Sequence, residues 1–258
     1  MNSGEFHTVT FLSGAAAPPL IIVGANGPDF NPAAVAPSGG PDYDGTGIVN
    51  SGLLFKGQQD TVNFTKAGTF SFLCLVHAGM GGTVTVHDAG AAYPASQAQW
   101  NTQALVTGNR LLGAGRMLEA RTLAGARSSG AGQAAVGTGA STGVNGSLAI
   151  MRFLPNRLVI HAGGSVTWTN HDPETPHTIT FGEEPGGGPL GAFAPSGAAV
   201  PGHATLTSPD EAANSGFVGA GLPFGMTFTA TFVNPGTYSY ICALHDDLGM
   251  KGTVVVLP

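Results

Sequence analysis

Alternating apolar and polar positions near the end of the chain predict β-strands. From 237 to 242, Thr, Ser and Ile alternate with Tyr, Tyr and Cys, which is the period of two that gives a strand two distinct faces. A β-branched run of three valines at 254–256 indicates a second strand soon afterwards. Segments at 147–153, 157–160 and 164–170 have the same character. The pattern predicts a β-domain in the second half of the chain.

This strand pattern occurs twice, each time with a shorter block upstream of it. Residues 67–86 resemble residues 235–256, and the sequence HTVTF at 7–11 resembles HTITF at 177–181. The histidine that opens the block precedes the cysteine of the strand by 67 residues in the first copy and by 65 in the second. Two blocks in one order at nearly one spacing indicate a tandem repeat.

The repeat predicts a chain of three parts. A first domain covers 1–88, a linker covers 89–144, and a complete second domain covers 145–258. The first copy lacks the strands that precede the block in the second copy, so we expect the chain to begin inside its first domain. An export signal would then have been lost with those strands, so the lack of one at Met1 says little about the compartment.

The linker and the long connections differ from the domains in composition. Residues 95–124 predict a helix, whose arginines we expect to form a solvated face. These arginines are Arg110, Arg116, Arg121 and Arg127. The stretch 128–146 is rich in Gly, Ala, Ser and Thr and predicts a flexible linker. Stretches 14–47 and 182–203 are dense in Gly, Pro and Ala and predict long loops.

The composition of the whole chain favours an all-β fold and excludes two classes of partner. Its 258 residues include 41 glycines and 18 prolines, and only 9% are charged, which favours short strands and turns over long surface helices. The net charge of −6 argues against a nucleic-acid partner, because nothing neutralises phosphates in bulk. No run of 18 apolar residues occurs, so no membrane span is expected.

A thiolate, two imidazoles and a thioether converge on one end of the second repeat. Cys242, His245 and Met250 lie at a strand end and in the loop after it, and His177 comes from another strand. Two imidazoles and a thiolate in a plane, with a weak axial thioether, form a blue-copper site. Zinc prefers four tetrahedral nitrogen or sulfur ligands, among which Met is a poor fourth. The first copy repeats this set as His7, Cys74, His77 and Met80.

Both copies resemble the cupredoxins, the family of plastocyanin, amicyanin, pseudoazurin and azurin. Cys242-x2-His245-x4-Met250 is similar to the ligand loop of plastocyanin, and Cys74-x2-His77-x2-Met80 is similar to that of amicyanin. The resemblance implies two Greek-key β-sandwiches joined by a partly helical, Gly/Ala-rich linker. It also implies a blue copper electron-transfer protein with one type 1 copper per domain that cycles between Cu(I) and Cu(II). The implied ligands are His177, Cys242, His245, Met250, His7, Cys74, His77 and Met80.

The chain departs from the family pattern at three places. Thr8 and Thr178 stand where the family often has an asparagine that supports the thiolate. Phe6 replaces the proline that usually precedes the upstream histidine. The long loops exceed those of a plastocyanin-sized domain.

The same residues allow other interpretations. A two-domain copper oxidase or nitrite reductase needs further histidines for its catalytic copper, but the sequence contains no His-x-His pair. We therefore expect an electron carrier and not an enzyme. Copper storage or delivery would use the same ligands, so it stays open. A Cys74–Cys242 disulfide would join equivalent positions of two domains and remove both thiolates, so it is not expected.

The expected partner is another redox protein, and the expected location is the periplasm or the cell exterior. Electrons would enter and leave through the rings of His77 and His245, whose edges the resemblance implies to be exposed. Asp246-Asp247 follows His245 and could dock a basic partner, although simple solvation also explains it. The remaining histidines lack counterparts in the other copy and are expected at the surface; they are His87, His161, His171 and His203.

Overall fold

The computed structural model describes residues 5–24, 27–77, 79–141, 147–183, 202–219, 222 and 225–258. The chain forms two compact units. The first comprises Met1–Ala114 with Ser141–Ser147, and the second comprises Gly115–Ala140 with Leu148–Pro258. The three-part division at 88 and 144 stays a prediction.

The first unit consists of short strands, and a long helix follows them. Its described elements are β1 (Thr10–Phe11), β2 (Ile21–Gly24), β3 (Gly27–Phe30), α1 (Pro32–Val35), β4 (Asp42–Tyr43), β5 (Val49–Asn50), β6 (Asn63–Phe64), β7 (Gly68–Leu73) and β8 (Gly81–Val86), followed by α2 (Gln97–Ser128).

The second unit has longer strands. Its described elements are β9 (Gln133–Ser141), β10 (Ser147–Leu154), β11 (Arg157–His161), β12 (Ser165–His171), β13 (Thr180–Phe181), β14 (His203–Leu206), β15 (Ala213–Asn214), β16 (Thr227–Phe232), β17 (Gly236–Ile241), a 3-10 turn (Asp246–Leu248) and β18 (Lys251–Leu257).

The second unit is a sandwich of two five-stranded sheets, in the orders β10-β9-β12-β16-β14 and β11-β18-β17-β13-β15. Buried positions alternate along β17 as the sequence predicts, with Tyr238 and Tyr240 inside. Trp168 of β12 is fully buried, and its ring lies 5.1 Å from that of Tyr240 and 5.9 Å from that of Phe181 in the facing sheet. Aromatic side chains from both sheets therefore form one core, and the all-β expectation is confirmed.

The first unit repeats the central part of this sandwich. Its sheet order β5-β1-β7-β8 matches β15-β13-β17-β18, and the parallel pair β4-β6 matches β14-β16. Phe11 packs on Tyr43 at 4.8 Å and on Phe64 at 5.6 Å between ring centroids. Within the described part of the first unit, no strand takes the place of β12. Phe11 and Tyr43 are buried, whereas the rings packed against them are partly exposed, and a cavity of about 700 Å³ lies beside Phe72.

The segment between the repeats is more ordered than its composition indicates. Helix α2 confirms the predicted helix, and its four arginines are exposed. The flexible linker predicted over 128–146 is wrong for residues 133–141, because β9 pairs in parallel with β12. Pairing with a buried strand outweighs the low strand propensity of Gly and Ala. Residues 142–146 lie outside the described ranges.

The two predicted long loops have different outcomes. The stretch 14–47 contains the β2-β3 pair, α1 and β4, so it is structured more than predicted. Most of 182–203 lies outside the described residues. No described helix is long and apolar enough to cross a membrane.

Candidate metal centre

Three side chains meet at one end of the second sandwich. Sγ of Cys242 lies 3.7 Å from Nδ1 of His177 and 3.3 Å from Nδ1 of His245. The two Nδ1 atoms are 3.1 Å apart. All three residues are buried. They are the cysteine and histidines that the sequence predicts as ligands of this copy.

The triangle of donor atoms has the size that a metal ion needs. An ion in the plane of three atoms separated by these distances lies roughly 2 Å from each, close to the length of metal–nitrogen and metal–sulfur bonds. A thiolate with two imidazoles suits both oxidation states of copper. The residues present therefore fit a copper ion.

The surroundings favour the thiolate form of Cys242. Burial alone would raise the pKa of this thiol, but the nearby His245 and His177 lower it well below 9.0. The backbone N–H of Thr178 also donates a hydrogen bond to Sγ at 3.4 Å. Because metals bind the deprotonated thiol, the cysteine favours the form that copper requires.

The first unit brings together the equivalent residues. Sγ of Cys74 lies 3.9 Å from Nδ1 of His7 and 3.6 Å from Nδ1 of His77, and all three residues are buried. Burial raises the pKa of Cys74, but hydrogen bonding with both histidines outweighs it and lowers the pKa to about 5. For His77 the effects are reversed. Burial lowers the pKa of this imidazole, but its contacts with Cys74 and Glu5 outweigh burial and raise the pKa to about 9. Both copies thus favour a cysteine thiolate beside two histidine rings.

The threonine after each upstream histidine forms a hydrogen bond next to the cysteine, where the family often uses an asparagine. Oγ1 of Thr178 accepts a hydrogen bond from the N–H of Ala243 at 2.8 Å. Oγ1 of Thr8 accepts one from the N–H of Leu75 at 2.7 Å. Each threonine links the histidine segment to the residue after the cysteine. The segment that carries the cysteine is therefore held in place although the asparagine is absent.

Besides the histidine block and the cysteine strand, a third motif occurs in both copies and supports the histidine segment. It was not among the predicted site residues. Asn50-Ser51-Gly52 in the first copy corresponds to Asn214-Ser215-Gly216 in the second. The serine hydroxyls accept hydrogen bonds from the N–H groups of Val9 and Ile179, both at 2.8 Å. Each asparagine Oδ1 accepts the N–H of the glycine two residues on. The identical Asn-Ser-Gly segments in the two copies are the sequence signal that could have revealed this motif.

The loop after each cysteine closes by backbone pairing. The N–H of Cys242 donates to the carbonyl of Met250 at 3.0 Å, and the N–H of Cys74 donates to that of Met80 at 2.8 Å. Met250 is fully buried, whereas 38% of the Met80 surface is exposed. The axial role of these two methionines stays a prediction.

Exposed histidine edges, through which electrons were expected to pass, are not found. The exposed fraction is 6% for His77 and 2% for His245. In the first copy the reason is Glu5, whose carboxylate lies 3.3 Å from Nε2 of His77. The expected exposure of these ring edges is therefore wrong, and the route of the electrons stays a prediction.

The other polar residues that the sequence singles out are not members of the two clusters. His87, His161, His171 and His203 are exposed, as predicted. Asp246 is buried and its carboxylate lies 3.3 Å from Nζ of Lys251, whereas Asp247 is exposed. The acidic pair therefore presents one free carboxylate at most. Cys74 and Cys242 are both free, buried cysteines.

Comparison with known proteins identifies relatives of part of the chain. The family described as copper binding proteins, plastocyanin/azurin family, matches residues 140–257. A plastocyanin from Scenedesmus fuscus is 35% identical over 104 residues, which are 40% of this chain and 85% of that protein. Amicyanin-alpha from Methylorubrum extorquens is 31% identical over 109 residues, which are 42% of this chain and 67% of that protein. The solved structure of oxidized plastocyanin from Dryopteris crassirhizoma covers 48% of this chain and 98% of its own, at 25% identity and a TM-score of 0.29.

Proposed function

Because the chain belongs to the plastocyanin/azurin family of copper-binding proteins, we propose that it is an electron carrier with a type 1 copper site in each repeat. Copper is its cofactor. The observation that carries the proposal is the recurrence of one buried Cys-His-His cluster in both units. Bound copper supplies a one-electron couple between Cu(I) and Cu(II).

The protein's own residues would hold copper in either oxidation state with little rearrangement. Two strands and one loop supply the donors: His177 just before β13, Cys242 at the end of β17, and His245 in the following loop. The hydrogen bonds from Ala243 N–H to Thr178 and from Asn214 Nδ2 to Thr180 link these segments without copper. A framework that is already organised lowers the rearrangement needed when the charge of the ion changes, which favours rapid electron transfer. Met250 and Met80 are the proposed axial ligands.

Catalysis is the alternative that these residues support least. A catalytic copper would need a further group of ligands beside the carrier sites. Across the described ranges, the only groups of three or more His, Cys, Asp or Glu side chains suited to a metal ion are the two clusters above. Consumption of oxygen or nitrite by the copper-loaded protein would contradict the carrier assignment. Preferential retention of Cu(I) after reoxidation would favour storage or delivery.

The proposed partner is a redox protein that receives or donates one electron at a time. A basic partner is less favoured than the sequence indicates, because Lys251 already pairs with Asp246. We propose a periplasmic or extracellular location, in keeping with the resemblance to exported blue copper proteins.

Copper loading combined with cysteine substitution tests the function. The chain is loaded with Cu(II), excess metal is removed, and the visible spectrum is recorded before and after reduction. We expect an intense thiolate-to-copper band that bleaches on reduction. The Cys74→Ser and Cys242→Ser variants should each retain part of the band, and the double variant should retain none. Unchanged spectra in both single variants would contradict the ligand assignment.

A further inference from the structure

A buried carboxylate lies beside the outer nitrogen of one ligand histidine in the second unit. Oδ2 of Asp172 is 4.0 Å from Nε2 of His177. Both residues are almost fully buried, and neither of these two atoms has a hydrogen-bond partner among the described residues. A buried polar atom without a partner is destabilising, so each one in a folded protein calls for an explanation.

The chemistry of the imidazole makes the two atoms complementary. Nδ1 of His177 points to Cys242 and His245. When Nδ1 binds a metal, the neutral ring has its only proton on Nε2, which then needs an acceptor. The carboxylate of Asp172 is an acceptor at that edge, and a shift of about 1 Å brings it into hydrogen-bond range.

Asp172 is held in place from the other side. Its Oδ1 accepts the N–H groups of Glu174 at 2.9 Å and Thr175 at 3.1 Å, which leaves Oδ2 for the histidine. Its own N–H donates to Oδ1 of Asn170 at 2.6 Å. Nδ2 of Asn170 in turn donates to the carbonyl of Val218, whose backbone pairs with that of His177. The carboxylate of Asp172 and the backbone of His177 thus belong to one hydrogen-bond network.

The backbone of strand β9 packs against both Asp172 and His177. A Cβ on Gly137 would collide with Nε2 of His177, and a Cβ on Gly139 would lie 2.6 Å from Oδ1 of Asp172. The backbone of β9 can approach the pair only because both residues are glycines. Water is excluded from the outer edge of the ring, so a charge on Asp172 acts through a medium of low polarity.

We propose that Asp172 is a positioning residue of the second copper site, whose carboxylate accepts the Nε2 proton of His177 and favours Cu(II) over Cu(I). This inference rests on the proposed function. The hydrogen bond fixes the ring with Nδ1 toward the metal and makes the imidazole a stronger donor. The negative charge stabilises the more highly charged ion, so it lowers the reduction potential of this site.

Asp172→Asn tests the proposal in the full chain with Cys74→Ser, which leaves only the second site. The amide retains Oδ1 for the loop but loses the charge. We expect Cu(II) affinity to fall about tenfold with Cu(I) affinity unchanged, which corresponds to a rise in reduction potential of about 59 mV. Asp210→Asn removes one charge from an exposed position and should change neither quantity. Equal potentials for the two variants would overturn the proposal.

A measurement on the unsubstituted chain covers the case in which Asp172→Asn fails to fold. In the Cu(I)-loaded protein, the Nε2 proton of His177 should give an NMR signal that exchanges slowly with solvent and is shifted as in a hydrogen bond to a carboxylate. A rapidly exchanging or unshifted proton would overturn the proposal. Failure of the proposed function is distinct from either result, because the visible band of the second site would then be absent before any substitution at Asp172.

Discussion

The carboxylate of Glu5 lies 3.3 Å from Nε2 of His77 in the first unit. In the second unit, Asp172 lies beside Nε2 of His177 instead. The two copies thus place a carboxylate on the outer nitrogen of different histidines, the downstream one in the first copy and the upstream one in the second. Two sites with the same ligands can therefore differ in reduction potential.

Removal of the first carboxylate should affect the first site only. Glu5→Gln in a chain with Cys242→Ser removes a negative charge next to His77, so the reduction potential of the remaining site should rise. Voltammetry measures the potential. Asp60→Asn serves as the control, because Asp60 belongs to the same unit and is exposed. A potential that stays at the value of the control would show that Glu5 does not act on the site.

The threonine beside the thiolate should matter for stability. Thr178→Val keeps the shape of the side chain but leaves the N–H of Ala243 without its acceptor, in a buried position. Loss of one such partner costs about 1–3 kcal/mol in the free energy of unfolding. Urea unfolding of the copper-free chain measures it, with Thr237→Val on the exposed face of β17 as the control. Equal stability of the two variants would contradict this role.

Gly137 should be required for the site, not only for the strand. Gly137→Ala introduces a methyl group against His177 at a positive φ of 69°. Gly163→Ala is matched, since its φ of 81° is also left-handed but no atom lies within 4 Å of the new Cβ. Both variants should lose about 1–2 kcal/mol from backbone strain. Only Gly137→Ala should shift the visible spectrum of the second site; identical spectra would rule out close packing of β9 on the histidine.

Tyr240 gives the second unit a dependence on alkaline pH. Burial raises the pKa of its phenol above 10.0. The folded state therefore keeps a proton that the unfolded state releases near pH 10, so this contribution to stability is complete below pH 10 and is lost as the pH rises further. Tyr240→Phe, which copies Phe72 of the first unit, removes this loss.

At neutral pH the same variant should be as stable as the parent or more so, by about 1 kcal/mol, because the hydroxyl has no hydrogen-bond partner of normal geometry in the described part of the chain. Urea unfolding at pH 8 and pH 10.5 checks both statements. The stability advantage of Tyr240→Phe should widen at the higher pH. An advantage that narrows would contradict the assignment of the titration to Tyr240.

The sequence predicts the clusters well because repetition reveals them. The His, Cys and His positions of each copy recur at nearly one spacing, and strand alternation places them at the ends of paired strands. Strand β9 could not be predicted in this way, because its Gly and Ala residues have low strand propensity. Its strand form depends on pairing with β12, and Gly137 is explained only by the ring of His177 that lies against it.

The carboxylates were equally hidden in the sequence. Nothing in the spacing of Glu5 and His77 indicates that the two side chains meet, since ring orientation and the fold of the segment before β1 decide it. The same holds for Asp172, which is five residues from His177 and reaches it through a turn held by Asn170. Such partners are set by tertiary structure and not by local pattern.

The central claim is that both repeats bind copper through a cysteine thiolate, and copper stoichiometry tests it most directly. After loading with Cu(II) and removal of excess metal, bound copper per chain is measured together with the visible spectrum. The account predicts two copper ions per chain and an intense band that bleaches on reduction. One copper ion with the band lost in Cys242→Ser would restrict the function to the second repeat. Bound copper without an intense band would contradict the thiolate sites in both repeats.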